Sequence, residues 1–444
     1  MKKDNTFYLN ERRDRTSKLI KFFNPKDMSS YFLVAIYVLA SGATSFLVLA
    51  IGNRNLDQNR FRQFLLNWNF INVSMLVLLS PVEALAPKLL HNVDFASLKL
   101  KTLKFWVRNS AIFVAVIVVI LNFYKFTDTY LFNFVVIIAY ILVIAETYLA
   151  RSMLVAAGDF KSIARTAVIS AVFSSVSFFA FVITNSISVG SMYFCVAAGL
   201  MSGLILLHFS TAKIRVPKVS YGPKHVETLD KEVLFRLTQM SFTAFIQLGL
   251  GMTGVTVLAI LGATKNDLFT YSALSGLALI CLGFVNSAAV PMSKQIASIS
   301  NVIDVGQYRI IFLRNISIYG AGFIATIVFS IVIRTTYLEV LAGSSLEVSK
   351  TRTLLTVVAI GAECMIVVPK VVLIGLGRET QILYIWASGF LVYIASMFLP
   401  FSPYTRVCVA IISSGFYIFF AASILAIHSI SKLQINQSKR IDAE

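Results

Sequence analysis

Few side chains in this sequence could do chemistry, and most of those are charges set inside long apolar runs. Glu83 stands between Pro81 and Pro87, Glu146 lies deep in another run, and Glu363 lies seven residues before Lys370. An ionisable group in hydrocarbon costs roughly 2.5 to 3.5 kcal/mol on insertion scales, so it usually meets a partner charge, a substrate or water. Each acid therefore reads in two ways: as a partner in an interhelical ion pair, or as part of the wall of a polar cavity. Glu363 and Lys370, at i,i+7, share a helix face, whereas Glu146 and Arg151, at i,i+5, do not.

The cations Arg108, Arg151, Arg165, Arg236, Arg314 and Lys370 sit within a turn or two of the ends of apolar runs. Snorkelling to lipid phosphate explains that placement. The alternative is that some of them rim a cavity and attract a diphosphate, whose oxygens a guanidinium binds bidentately. Asn67, Asn69, Asn72 and Ser74 give one run a polarity suited to sugar hydroxyls, as do Tyr271, Ser272, Ser275, Asn286 and Ser287 in another. Hydrogen bonding between helices would use the same groups.

Other chemistries find no support. Gly249, Gly251 and Gly254 match a dinucleotide fingerprint in spacing, but they lie in an apolar run without a strand before it, and read as a hinge or close-packing site. Cys195, Cys281, Cys364 and Cys408 fall in four separate runs without CxxC or Cys/His spacing, which argues against disulfides, zinc and a cofactor site. No catalytic constellation is evident.

The elements that must position these residues are membrane helices. The chain is 57% hydrophobic and 14% charged, far from soluble usage. Apolar runs long enough to cross a hydrocarbon core of about 30 Å recur throughout. They predict twelve helices, at 28–51, 64–89, 105–123, 129–150, 163–184, 189–209, 234–261, 269–292, 310–333, 354–376, 381–399 and 407–430. The fold expected is all-α and polytopic. Residues 1–27 mix both signs of charge, unlike the n-region of a signal peptide, so the first helix is expected to stay uncleaved.

The formal charge of +18 follows from orientation rather than nucleic-acid binding, because the basic residues are spread over loops. Of the 39 Lys and Arg, only Arg54, Arg60, Arg62, Lys125, Lys265, Arg334, Lys350, Arg352 and Arg406 fall on the side opposite the N-terminus. That bias places both termini in the cytoplasm.

The two halves resemble each other in four places, in the same order. Val48-Leu49-Ala50-Ile51 with Gly52 matches Val257-Leu258-Ala259-Ile260 with Gly262, 209 residues on. Pro87-Lys88 matches Pro291 with Lys294 at a separation of 204, and Val107-Arg108-Asn109 matches Leu313-Arg314-Asn315 at 206. Arg151-x-x-Leu154-x-x-x-Gly158 matches Lys370-x-x-Leu373-x-x-x-Gly377 at 219. Six helices per repeat is an even number, so both halves insert the same way round, as in parallel-repeat transporters. The expected division is a basic N-terminal segment at 1–27, six-helix bundles at 28–209 and 234–430, a cytoplasmic linker at 210–233 lying on the membrane surface, and a tail at 431–444.

With this layout, the Leu261-Gly262 helix end followed by Asp267-Leu268-Phe269, and the Arg/Lys-x-x-Leu-x-x-x-Gly motifs, the whole chain resembles the Wzx-type polysaccharide flippases of the multidrug, oligosaccharidyl-lipid and polysaccharide exporter superfamily. The resemblance implies a fold like that of the superfamily's multidrug (MATE) members. It also implies a cargo, an oligosaccharide on polyprenyl diphosphate bound for O-antigen, capsule or exopolysaccharide, moved across the inner membrane by rocking of two bundles. A polysaccharide polymerase and a chain-length regulator are the partners it suggests. The residues expected to meet cargo are Arg151, Lys370, Glu363, Glu146, Glu83, Asn67, Asn72 and Arg236.

Three other functions stay open. A drug antiporter would need a deep carboxylate, placed on the first helix in proton-coupled members, and 31–51 has no charged residue. A membrane glycosyltransferase, polymerase or ligase would gather acids on a large outer loop, but Asp57, Asp128, Asp267, Glu339 and Glu347 are scattered singly. A peptidoglycan-precursor flippase would share the topology, though related members often carry charge on the first helix and extra helices. The topology has a direct test: reporters fused after Lys213 and Lys432 should read cytoplasmic and one after Asp128 external. An external reading at Lys213 would remove the six-plus-six layout.

Overall fold

The computed structural model describes residues 25–91, 96–122, 128–212, 223–251, 254–286, 291–293, 295–296, 305–342 and 348–441, with only the backbone described at some helical positions. Most of the expected N-terminal segment and the centre of the linker lie outside the described residues.

Every regular element among the described residues is a helix. In chain order these are α1 (Pro25–Asn55), α2 (Gln58–His91), α3 (Ala96–Asn122), α4 (Asp128–Ala157), α5 (Phe160–Ile183), α6 (Val189–Thr211) and α7 (Pro223–Gly251). There follow α8 (Gly254–Ile260), α9 (Lys265–Asn286), α10 (Val305–Ala342), α11 (Lys350–Met365), α12 (Val367–Gly375), α13 (Glu379–Ser396) and α14 (Pro403–Ile441). Among the described residues, 8 helices are long and apolar enough to cross a membrane. Phe113, Val116 and Ile120 of α3 and Ile324, Val328 and Val332 of α10 point outward. Such bands suit a lipid solvent, where a helix satisfies its own backbone.

One predicted helix is split in two. The helix expected at 354–376 breaks at Ile366, and Pro369 is the cause. Proline lacks the N–H that would bond the carbonyl of Met365, and its ring crowds that carbonyl. The helix expected at 234–261 is described as α7 up to Gly251 and as α8 from Gly254. A Cβ on Gly254 would run into the Tyr271 ring, so the close-packing reading of this glycine fits its setting. Pro81 and Pro87, by contrast, remain inside one continuous α2.

The matching Arg/Lys-x-x-Leu-x-x-x-Gly motifs build the same helix end twice. Gly158 (φ +77°) and Gly377 (φ +72°) are left-handed. The N–H of the residue after each glycine bonds the leucine carbonyl, Asp159 to Leu154 and Arg378 to Leu373, both at 2.9 Å. This is a Schellman closure, with glycine at the one position where a side chain is strained. Gly52, matched to Gly262 in sequence, has no such role, because α1 continues past it to Asn55.

Part of the expected linker is helical: α7 starts at Pro223, where a proline loses nothing by lacking an N–H. Helices α1 to α6 pack mainly among themselves, as do α7 to α14, and the two sets meet where α2 touches α7 and α12, α3 touches α7 and α1 touches α9. The end of the bundle where α6 finishes and α7 begins is called the linker end below.

Gly377→Ala should lower thermal stability in detergent by about 1 to 2 kcal/mol, the cost of a left-handed L-residue. Gly320→Ala, in the interior of α10 with open space around its Cβ position, should raise it by up to about 1 kcal/mol. Equal effects from the two substitutions would contradict this account of the helix end.

Candidate functional site

Two cavities hold four of the eight expected site residues, Arg151, Asn72, Glu83 and Lys370. The first, about 180 Å³, lies among α1, α2, α4, α5 and α6, and the second, about 170 Å³, lies where α2 faces α7 and α12.

Arg151 projects from α4 into the wall of the first cavity and is 8% exposed. Its guanidinium donates to the Glu83 carboxylate and to the Tyr37 hydroxyl. It also lies 4.7 Å and 4.5 Å from the ring centroids of Tyr37 and Tyr148. The aromatic faces and the carboxylate together replace the hydration the cation has lost. Its Nε–H is buried and has no partner among the described residues.

Glu83 lines the second cavity while bonding Arg151 in the wall of the first, so this ion pair stands between the two. Across the second cavity is Lys370 of α12, whose Nζ donates to Gln247 Oε1 at 2.8 Å and lies 5.9 Å from the Trp386 ring centroid.

The two cations are related by the repeat. Arg151 reaches Tyr37 on the first helix of its half, and Lys370 reaches Gln247 on the first helix of the other. Tyr37 and Gln247 are 210 residues apart, one more than the 209 separating the matched ends of those helices.

The rest of the first cavity is aromatic and hydroxylic. Trp68 stacks on Tyr140 at 5.4 Å and 17°. Asn72 accepts from the Tyr140 hydroxyl at 3.0 Å and donates to the Trp68 carbonyl at 2.8 Å. Thr166, Ser170 and Ser174 of α5 line the opposite wall, packed against Gly199 and Gly203 of α6. Those two glycines form a small-xxx-small contact that lets the helices approach closely.

Other expected site residues lie elsewhere. Glu146 is 3.9 Å from Arg108 on the α3–α4 flank, with side chains 35% and 72% exposed, and lines neither cavity. Glu363 is not paired with Lys370 among the described residues, and its Oε1 is buried without a hydrogen-bond partner. The face they were expected to share assumed a continuous helix, and the break at Ile366 falls between them. Asn67 lines neither cavity. Arg236 lies at the linker end, 2.7 Å from Glu232 and 3.5 Å from Glu379.

Snorkelling fits Arg108 and Arg165, which are exposed. It does not fit Arg151, Lys370 or Arg314. Arg314 is 4% exposed and donates to Gln295 at 2.5 Å, although its repeat partner Arg108 is on the surface.

Sequence reasoning missed Lys88 and Glu379 as a pair and missed the aromatic wall. Glu379 looks like an acid favouring a helix N-terminus. Trp68, Tyr140 and Tyr193 look like ordinary apolar core. Nothing in a single sequence joins residues 291 positions apart.

No family model matches the sequence, and no curated protein matches it. Solved structures do. A crystal structure of the Vibrio cholerae MATE transporter VcmN aligns with a TM-score of 0.75 at 12% identity, covering 94% of this chain and 98% of that one. An outward-facing multidrug resistance MATE family transporter of the MOP superfamily aligns at 0.75 and 10% identity, over 92% and 97% of the two chains. A eukaryotic MATE transporter aligns at 0.72 and 12%, over 93% and 99%. The chain has the MATE fold over nearly its whole length.

Removing one member of the Arg151–Glu83 pair should cost about 3 to 5 kcal/mol, because the other is left as an uncompensated buried charge. Thermal unfolding of Arg151→Gln, Glu83→Gln and the double variant measures it. The double variant should be more stable than either single one, and additive losses would show that the pair is not coupled.

Proposed function

We propose that this protein moves an oligosaccharide carried on polyprenyl diphosphate from the cytoplasmic to the outer leaflet of the bacterial inner membrane, for surface polysaccharide assembly. One observation carries the reading: the two cavity walls hold two cations, Arg151 and Lys370, against one carboxylate, Glu83. That balance favours an anionic cargo. A cation in a low-dielectric cavity attracts a diphosphate more strongly than one in water does. The stacked aromatic rings, Asn72 and the serine and threonine hydroxyls offer both faces and hydrogen bonds to sugars. The prenyl chain would stay in lipid while the halves rock about the α2–α7 and α1–α9 contacts. The linker end faces the cytoplasm in this reading, as the distribution of basic residues requires.

Cation antiport is the second reading, favoured by the MATE fold and by the buried Glu363 carboxyl in the second half. The absence of an acid at 31–51 counts against it. A peptidoglycan-precursor flippase would share the diphosphate chemistry and differ in the sugar.

Reconstituted in liposomes with fluorescent undecaprenyl-diphosphate oligosaccharide, Lys370→Gln should slow flipping about tenfold or more, the loss expected for one charge-assisted hydrogen bond of roughly 1.5 to 3 kcal/mol. Flipping at the wild-type rate, with ethidium exported down a proton gradient, would favour the antiporter.

A further inference from the structure

At the linker end, beside the second cavity, whose wall includes Ile374, one cation crosses between the halves. Lys88, in the last turn of α2, donates from Nζ to Glu379 Oε1 at 3.2 Å and to the Ile374 carbonyl at 2.9 Å. Both acceptors belong to the other half, one at the C-terminal end of α12 and one in the first turn of α13. The approach runs past Gly377, where an added Cβ would lie 3.3 Å from Nζ. Glu379 is 5% exposed, and its same oxygen is 3.5 Å from Arg236 NH1 on α7. Gln239 and Thr380 bond one another at 3.0 Å just beyond, and Thr102 of α3 bonds Asp230 of α7.

The asymmetry of this triad is informative. Glu379 and Arg236 belong to one half, and only Lys88 comes from the other. Taking Lys88 away leaves Glu379 still facing a cation, so the halves can part here without stranding a buried carboxylate, provided that Lys88 receives another anion. A compact ammonium on a flexible stem suits that exchange.

We propose that Lys88 is a cargo-binding residue and that Glu379 occupies its diphosphate position while the linker end is closed. A diphosphate arriving from the cytoplasmic leaflet takes Lys88, Glu379 falls back on Arg236, and α2 is released from α12 and α13. Binding and opening are thus one exchange of counter-ions. The proposal rests on the flippase reading and deepens it.

Its sign is testable, because a competitor's removal strengthens binding. In nanodiscs, Glu379→Gln should bind undecaprenyl diphosphate and inorganic pyrophosphate at least about fivefold more tightly than wild type, the lower edge of typical coupling. Lys88→Gln should bind both more weakly, and undecaprenol should not respond to either change. Spin labels at Lys161→Cys and Lys432→Cys report the separation of the two halves. Undecaprenyl diphosphate should lengthen it in wild type, and Glu379→Gln and Lys88→Gln should lengthen it without ligand. Unchanged or weaker diphosphate binding by folded Glu379→Gln would overturn the proposal, as would flipping at the wild-type rate by Lys88→Gln or equal opening by undecaprenol. Counter-ion exchange seen in nanodiscs without flipping in liposomes would instead overturn the flippase reading and leave the exchange standing.

Discussion

A charge inside hydrocarbon has to find its counter-charge within the protein, and the pairing of Arg151 with Glu83 meets that requirement at the centre of this one. The pair ties α4 to α2, orders Tyr37 and Tyr148 around the guanidinium, and separates two cavities. Its partners are drawn from three helices, so the packing of α1, α2 and α4 and the charge of the cavity walls are set by the same contact. Lys370 differs in kind. Its described partners are neutral, the Gln247 amide and the Trp386 ring, so its positive charge remains open to an anion.

The backbone follows the same economy. Where described helices end at Gly158 and Gly377, local groups satisfy the freed carbonyls, as lipid cannot. Gly158 and Gly377 allow the turn that returns an N–H to a leucine carbonyl. The Ile374 carbonyl near the end of α12 takes the Lys88 ammonium. Pro369 divides one predicted helix into α11 and α12, and that division sets Lys370 and Ile374 on a short piece that faces α2. A helix fragment of this length can be reoriented with few side chains, which suits an element shared by a cavity and an interface.

The resemblance between halves is real at the level of backbone closure and partial at the level of charge. The Arg151 and Lys370 sites correspond down to the helix that each side chain touches. Arg108 and Arg314 do not correspond, one exposed beside Glu146 and one buried against Gln295. Arg108 and Arg314 share a position along the helix but not a neighbour, because α3 is open on the face where α10 is buried.

The all-α polytopic fold and the glycine closures after Leu154 and Leu373 were legible in the sequence, because hydrocarbon thickness and left-handed geometry act on local stretches of chain. A proline alone did not show where a helix breaks, since Pro369 accompanies the break at Ile366 while Pro81 and Pro87 leave α2 continuous. Three-dimensional packing decided the rest. It placed Arg151 inside rather than at the lipid surface, put Glu146 on a flank, and brought Lys88 to Glu379. A helix period fixes which residues share a face but leaves open which way the face points. In a chain surrounded by lipid, where apolar residues cover the outside as well as the core, only packing against other helices answers that.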